Sequence, residues 1–345
     1  MKTTRHQVHR FSGLIAGTLL QFLVSENVSA VDSARDLAAQ ISIASVLYLP
    51  LTWVGKTPPD QTESQILHDQ IKSIKIHGVA SNLSGLEAFV SSHPNSPWLP
   101  SLRANLGRYY FEHGQYHKAI EAWSAAWQAT AVIPDGAGKH IAEFAFVHLT
   151  ELLVGLGKVD ELKDLFDQTK GRSFTPGPIL QKVKQTRLNY ELMASQTDAS
   201  FRCGVYALNS VGEKIKGTSF DRMLTMRAPS PSTGFSLAKL AKLGQLAGVE
   251  MVAVQWGSSK ALAVPSVVHW KDNHYAAILA ERGGLYEVDD TIFGQPRWLS
   301  GDDIREEASG YFLVSKKQLN VNWKVLSDAD ASQVYGRGLG LFRFR

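Results

Sequence analysis

Cysteine is almost absent from this chain: one, Cys203, occurs in 345 residues. No intramolecular disulfide can form, so the core alone must hold the fold, and an exported form would carry a free thiol into an oxidising compartment. Long apolar runs are also missing. Residues 11–24 and 41–54 are both shorter than the roughly twenty residues of a membrane-spanning helix. The formal charge of +4 is spread without a dense basic run, which leaves nucleic-acid binding without an electrostatic footprint. No Gly-x-x-x-x-Gly-Lys-Ser/Thr loop is present, so no ATP site is expected. His269 and His274, with Asp272 between them, match neither a helical zinc-ligand spacing nor a paired-cysteine site, and neither a metal nor a cofactor is expected.

What the chain does have is an ordinary globular composition, 44% hydrophobic, 20% charged and 10% aromatic, at a length that suggests about two domains. Residues 1–30 read as an export signal. Lys2, Arg5 and Arg10 precede a short apolar core, and Val28-Ser29-Ala30 is an acceptable cleavage sequence. Residues 31–83 form an apolar and helical segment in which the run 41–54, interrupted by Pro50, is core material, and residues 56–61 with Pro58-Pro59 are a linker. Residues 84–195 read as helices. Tyr109, Tyr110, Gly114, Tyr116, Ala119, Trp123 and Ala126 fall on the spacing of a tetratricopeptide helix pair, small residues at the crossing and large ones in the groove. Leu149, Leu153, Gly157, Leu162 and Phe166 repeat it after more than the standard repeat of about 34 residues, with an extended loop between. The aromatic stripe through Tyr116 and Trp123 is read as core.

The chemistry is expected around Cys203. Gly204 permits close backbone approach, and Val205, Leu208, Asn209 and Val211 continue with helical spacing, which places the thiol at a helix N-terminus where unpaired amides and the helix dipole favour a thiolate. The alternative is a small buried apolar residue. Downstream, two β-forming runs flank Gly283-Gly284 as a hairpin, returning the strand that starts at His274 to the level of Asp290. With 274 opposite 290 the two share a face with Ala276, Ile278, Tyr286 and Val288, whereas Asp289 points away; a one-residue slip would exchange the carboxylates. A thiol, an imidazole and a carboxylate so placed are the set for nucleophilic acyl transfer.

These segments carry a family resemblance. Cys203-Gly-Val-Tyr-Ala-Leu, Val264-Pro-Ser-Val-Val-His-Trp, Asn273-His-Tyr-Ala-Ala, Gly284-Leu-Tyr-Glu-Val-Asp-Asp and Ser309-Gly-Tyr-Phe-Leu-Val resemble, in order and spacing, the C39 family of papain-like cysteine peptidases. The resemblance implies a papain-like peptidase domain, placed at 196–316; with the tetratricopeptide-like helical repeats read above preceding it, an α+β chain is expected, with a tail at 317–345. It implies Cys203 as nucleophile, His274 as base and Asp290 as orienting carboxylate. The family's oxyanion glutamine stands at the position held here by Thr197, and the nearest counterpart is Gln196. Asp-Pro is usual where this chain has Asp290-Thr291, and the ATPase that accompanies many members has no phosphate loop here. The expected activity is hydrolysis of a peptide or protein substrate by an exported enzyme, with a protein partner on the helical module. A non-catalytic peptide-binding module is the alternative, and a transferase using the same thioester chemistry is a third reading.

Overall fold

The computed structural model describes residues 36–37, 39–41, 47–80, 83–257 and 259–339, so the export signal read in residues 1–30 lies outside the described residues. The architecture is α+β, helical in its first part and built on antiparallel sheet in its second. The chain divides into two compact units, residues 1–105 with 135–138, and residues 106–134 with 139–345.

The first unit contains α1 (Gln61–His77), α2 (Leu83–Ser92) and α3 (Leu99–Glu112) as far as Asn105. Asp60 caps α1 by accepting the Glu63 N–H, which satisfies one of the orphan donors of the first turn. Leu67, Ile71 and Ile74 recur at helical spacing and are buried, as are Leu86, Phe89, Trp98 and Leu102. Ile41 and Leu51 of the apolar run 41–54 are buried too. Polar side chains hold the extended chain beside them: Asn105 Oδ1 accepts from Leu49 N–H at 2.8 Å, and Ser101 Oγ donates to Thr52 O at 2.8 Å.

The second unit opens on the rest of α3 and continues through α4 (Tyr116–Thr130), α5 (Gly136–Gly155) from Lys139, α6 (Val159–Gln168) and α7 (Pro178–Ser195). Gly107 leaves room for the Trp123 indole; a Cβ there would lie 2.6 Å from the ring. Gly114 and Gly157, both at positive φ, end α3 and α5 before a polar residue and the start of the next helix, so the two helix pairs turn alike. A short α8 (Thr197–Ser200) leads to α9 (Cys203–Lys216), α10 (Arg222–Arg227), β1 (Phe235–Ser236) and α11 (Leu237–Leu246). Then come β2 (Met251–Trp256), β3 (Ser266–Trp270), β4 (His274–Arg282), β5 (Leu285–Asp289), β6 (Arg297–Ser300), α12 (Gly301–Glu307) and β7 (Ala308–Ser315). The segment after 316, read from sequence only as a glycine-rich tail, supplies β8 (Trp323–Val325), α13 (Asp328–Gln333) and β9 (Tyr335–Gly336).

The main sheet runs β6-β5-β4-β3-β7-β2-β8, antiparallel throughout, and β1 pairs separately with β9. Strand alternation assigns its two faces. Val267, Tyr275, Ala277 and Leu313 are buried in one core with Val205, Leu208, Val211, Leu237 and Leu240 of α9 and α11. On the other side Tyr116 of α4 meets Trp270 edge-on, ring centres 6.4 Å apart, and Phe111 meets Phe293 at 5.8 Å. The helices after Leu106 therefore cover one side of the sheet and the cysteine-bearing helix the other.

Polar anchors accompany this packing. Gln115 donates to Asp303 Oδ1 at 2.7 Å, and the buried Glu307 accepts the His117 N–H at 3.0 Å. Burial pushes the Glu307 carboxyl up to about 8, against a partial opposing effect of the His117 N–H, so it is held protonated at neutral pH. An acid that binds its proton more tightly when folded stabilises the fold below its ordinary value of 4.5 and loses that contribution as the pH rises to about 8. Thermal unfolding followed over that window is expected to show Tm falling with pH in the wild type and a flatter profile in Glu307→Gln. Equal slopes would remove Glu307 as the cause.

Candidate active site

Cys203 is the first residue of α9, and its neighbour explains how close that helix comes to the sheet. A Cβ on Gly204 would lie 2.7 Å from Leu240 Cδ1 and 3.0 Å from Tyr275 Cδ2, so only glycine lets the helix start settle against β4. His274 opens β4. The β3–β4 hairpin closes in three residues, Trp270 pairing with His274, and the last of the three, Asn273, adopts φ +57°. Asparagine tolerates that left-handed conformation, and the tight loop fixes where the imidazole emerges.

Asp290 follows β5 directly and is saturated with donors. Oδ1 accepts from His274 Nε2 at 2.8 Å and from Ile292 N–H at 2.9 Å; Oδ2 accepts from Tyr116 Oη at 3.0 Å and Trp270 Nε1 at 3.1 Å. Four donors match the acceptor sites of a carboxylate, the condition under which a buried charge is tolerable. Burial works against its ionisation, but the His274 imidazolium and the hydrogen bonds outweigh it and hold the carboxyl below its ordinary range. Burial likewise works against charge on His274, and here Asp290 and a thiolate at Cys203 outweigh it, pushing the imidazole up to about 10. Because Nε2 is committed to Asp290, Nδ1 is the nitrogen left to face the thiol. It has no hydrogen-bond partner among the described residues.

The structure thus brings Cys203, His274 and Asp290 together, and the hairpin does it through a register different from the expected one. Ala277 pairs with Asp289 and Ile278 with Val288, which continues to set 290 across from Ala276 rather than from His274. The net shift is two residues: the turn at Gly283-Gly284 pairs Arg282 with Leu285, which alone would set 290 across from Ala277, and a one-residue bulge between Ile278 and Ala280 brings it across from Ala276, so the face is kept because side chains alternate with period two. Asp289 points the other way, accepting from Ser210 Oγ of α9 at 2.6 Å. Gln196 is not brought into the site. It is exposed at the end of α7, its backbone carbonyl taking Ser200 Oγ, and no hydrogen bond from its side chain occurs among the described residues. The turn from α7 into α8 directs position 196 to solvent.

The N–H of Cys203, which opens α9, and that of Arg202, just before it, both donate to one carbonyl, Gly338 O, at 3.1 Å each; the Arg202 N–H is shared with Ser200 O, also at 3.1 Å. That carbonyl belongs to the segment after β9. Gly338 lies so near the pair that a Cβ on it would collide with His274 Nδ1 and come within 2.9 Å of Cys203 Cβ. Cys203 and His274 are both 0% exposed.

Three contributors escaped sequence reasoning. Tyr116 sits in the aromatic stripe read as core, and it is core; its hydroxyl is also the one polar atom of the stripe placed to reach Asp290. Burial, then Asp290 beside it, pushes that phenol well above its ordinary range, so it remains a donor. Trp270 opens the β3–β4 turn, and a tryptophan beside a proposed catalytic loop was a readable signal. The glycine-rich tail offered none. Phenylalanine at 116 would leave Oδ2 with a single donor. Tyr116→Phe is expected to cost about 1.5–3 kcal/mol, the range for a hydrogen bond to a charged group, measured by chemical unfolding. Wild-type stability in that variant would show the hydroxyl to be dispensable.

Residues 190–320 match the model of the Peptidase C39 family. Among solved structures, the N-terminal peptidase C39 like domain of the toxin secretion ATP-binding protein from Vibrio parahaemolyticus is similar at 15% identity, over 34% of this chain and 97% of that one, with a TM-score of 0.27. No curated protein matches the chain. Residues 190–320 are thus similar to the peptidase C39 family, and helices precede them.

Proposed function

We propose that this chain is a cysteine peptidase that hydrolyses peptide bonds through Cys203, His274 and Asp290. The observation that carries the reading is the buried chain of contacts from Tyr116 and Trp270 through Asp290 to His274 Nε2, which leaves Nδ1 directed at the only thiol of the protein. In this mechanism the Cys203 thiolate attacks the substrate carbonyl while the imidazolium at Nδ1 waits to protonate the leaving amine. The oxyanion forms on the Cys203 and Arg202 amides, donors that need no reorganisation because the helix start already directs them. Water then hydrolyses the thioester with His274 as base. Asp290 keeps the imidazole in the tautomer that does this. The family match of residues 190–320 supports the same class of substrate, a peptide or protein. A module that binds peptides without turnover is the second reading, and the exposed Gln196 is what favours it.

Access decides how the reading is tested, since Gly338 covers the thiol. Leu339 is wholly buried, and Leu339→Asp, which would bury a carboxylate at that point, should expel the segment and open the site. The full-length Leu339→Asp protein is expected to hydrolyse members of a peptide mixture, read by mass spectrometry, and to lose all cleavage when Cys203→Ala is added. Cleavage that survives Cys203→Ala, or none in the opened protein, would overturn the peptidase reading. In the same background Asp290→Asn should lower turnover by about 10³–10⁴-fold, as in the serine triad, whereas Asp289→Asn, on the carboxylate that turns toward Ser210 of α9, should change it far less. The reverse order would assign the orienting role to Asp289.

Export belongs to the same proposal, supported by the positive n-region and the Val28-Ser29-Ala30 sequence. N-terminal sequencing of the protein from its native host should begin near Val31, and recovery of intact Met1 would refute export with cleavage. The helical module, with its two glycine-terminated helix pairs, is proposed to hold a protein partner or substrate.

A further inference from the structure

The segment that covers the thiol is held as a peptide substrate would be. Along 335–339 the chain is extended and bound by its backbone on both sides of Gly338. On the N-terminal side, Tyr335 and Gly336 pair antiparallel with Ser236 and Phe235, His269 Nε2 donates to Tyr335 O at 3.0 Å, and Arg337 N–H donates to Asn273 O at 2.9 Å. On the other side Leu339 forms a bridge with Phe201, and its N–H donates to Gly155 O at 2.9 Å. The walls are cut to the backbone: a Cβ on Gly157 would strike Arg337 O, and one on Gly234 would strike Gly336 O. Between these anchors the Gly338 carbonyl rests on the amides of Cys203 and Arg202, at the far end of the distance range for an oxyanion donor.

A covering segment that merely capped α9 would need the carbonyl alone. It would not need glycine at 338, an extended run with anchors before and after, or a leaving-side amide held in place. We infer that the chain is its own substrate, and that Cys203 cleaves the Gly338–Leu339 bond in cis. The inference rests on the peptidase reading above and supplies its substrate: an extended strand with glycine before the scissile bond, a large apolar side chain after it, and a cation before the glycine, the Arg337 guanidinium lying 4.6 Å over the Phe201 ring.

The chemistry balances without any co-reactant except water. Cys203 Sγ forms a bond to the Gly338 carbonyl carbon, and the electron pair of the C=O moves onto the oxygen held by the two amides. On collapse the C–N bond to Leu339 breaks, and His274 Nδ1 gives its proton to the departing nitrogen. Neutral His274 then takes a proton from water as it adds to the Cys203–Gly338 thioester. The thiol leaves, and Gly338 ends in a carboxylate. Loss of the segment beyond 338 removes the Leu339 anchor, so the new Gly338 carboxylate is held from one side only and can leave the amides to substrates in trans. The cut is therefore also an activation step.

The test is the intact mass of the full-length protein, followed from purification through incubation. Wild type is expected to lose the residues that follow Gly338 and no others, at a rate independent of protein concentration. Cys203→Ala should stay whole, alone or mixed with wild type. Gly338→Val, whose side chain would collide with His274, should also stay whole while hydrolysing peptides in trans. If wild type stays whole while Leu339→Asp cleaves peptides in trans, the segment is a plug and self-processing is overturned, with the peptidase reading intact. If neither reaction occurs, both fall. Trimming at another bond, or trimming of Cys203→Ala, overturns self-processing by pointing to a different cut or a different protease.

Discussion

A single buried carboxylate organises the second unit of this protein. Asp290 is removed from water and would be costly to ionise there if it were not met by four donors drawn from four places: α4, the end of β3, the start of β4 and the turn after β5. Each donor commits its element to a position. Tyr116 brings the helices to the sheet, Trp270 and His274 close the β3–β4 loop around the carboxylate, and Ile292 N–H bends the chain after β5 back on itself. The condition that makes the charge tolerable is the same condition that aims the imidazole.

The two sides of the sheet then divide the labour. One side packs α9 closely enough, through Gly204, for a thiol at its first residue to reach the imidazole edge. The other side is covered by the helices from Leu106 onward, which supply a hydroxyl to the site as well as apolar surface. In this arrangement the helices from Leu106 onward are part of the site's support, because removing Tyr116 would leave the Asp290 charge less well solvated. The final segment completes the assembly by filling the orphan amides of α9, a task that in an open site would fall to water or to a substrate.

Much of the site was legible because its logic is local. A lone cysteine followed by glycine and helical spacing marks a helix start, and a Gly-Gly turn between β-forming runs marks a hairpin; β4 and β5 do turn at Gly283 and Gly284, both at positive φ. The preference for Asp290 over Asp289 as the residue on the His274 face followed from strand alternation, and alternation survives a register error of two residues. The register itself was not legible, because a bulge between Ile278 and Ala280 leaves no local signature. Gln196 failed for a related reason: whether its side chain reaches the helix start depends on the turn between α7 and α8, which spacing does not specify.

By itself, then, the sequence determined the α+β class, the order of the main helices and strands before residue 316, the Cys, His and Asp that meet, and the face they share, since each depends on periodicities of two or 3.6 residues and on glycine at turns. Only the tertiary structure decided which groups surround them. Tyr116 lies 174 residues from Asp290 along the chain, and the carbonyl that takes the Cys203 amide comes from Gly338 in a segment without sequence pattern. Contacts of that kind are set by how whole elements pack, and a buried charge selects among packings by its need for donors, wherever in the chain those donors come from.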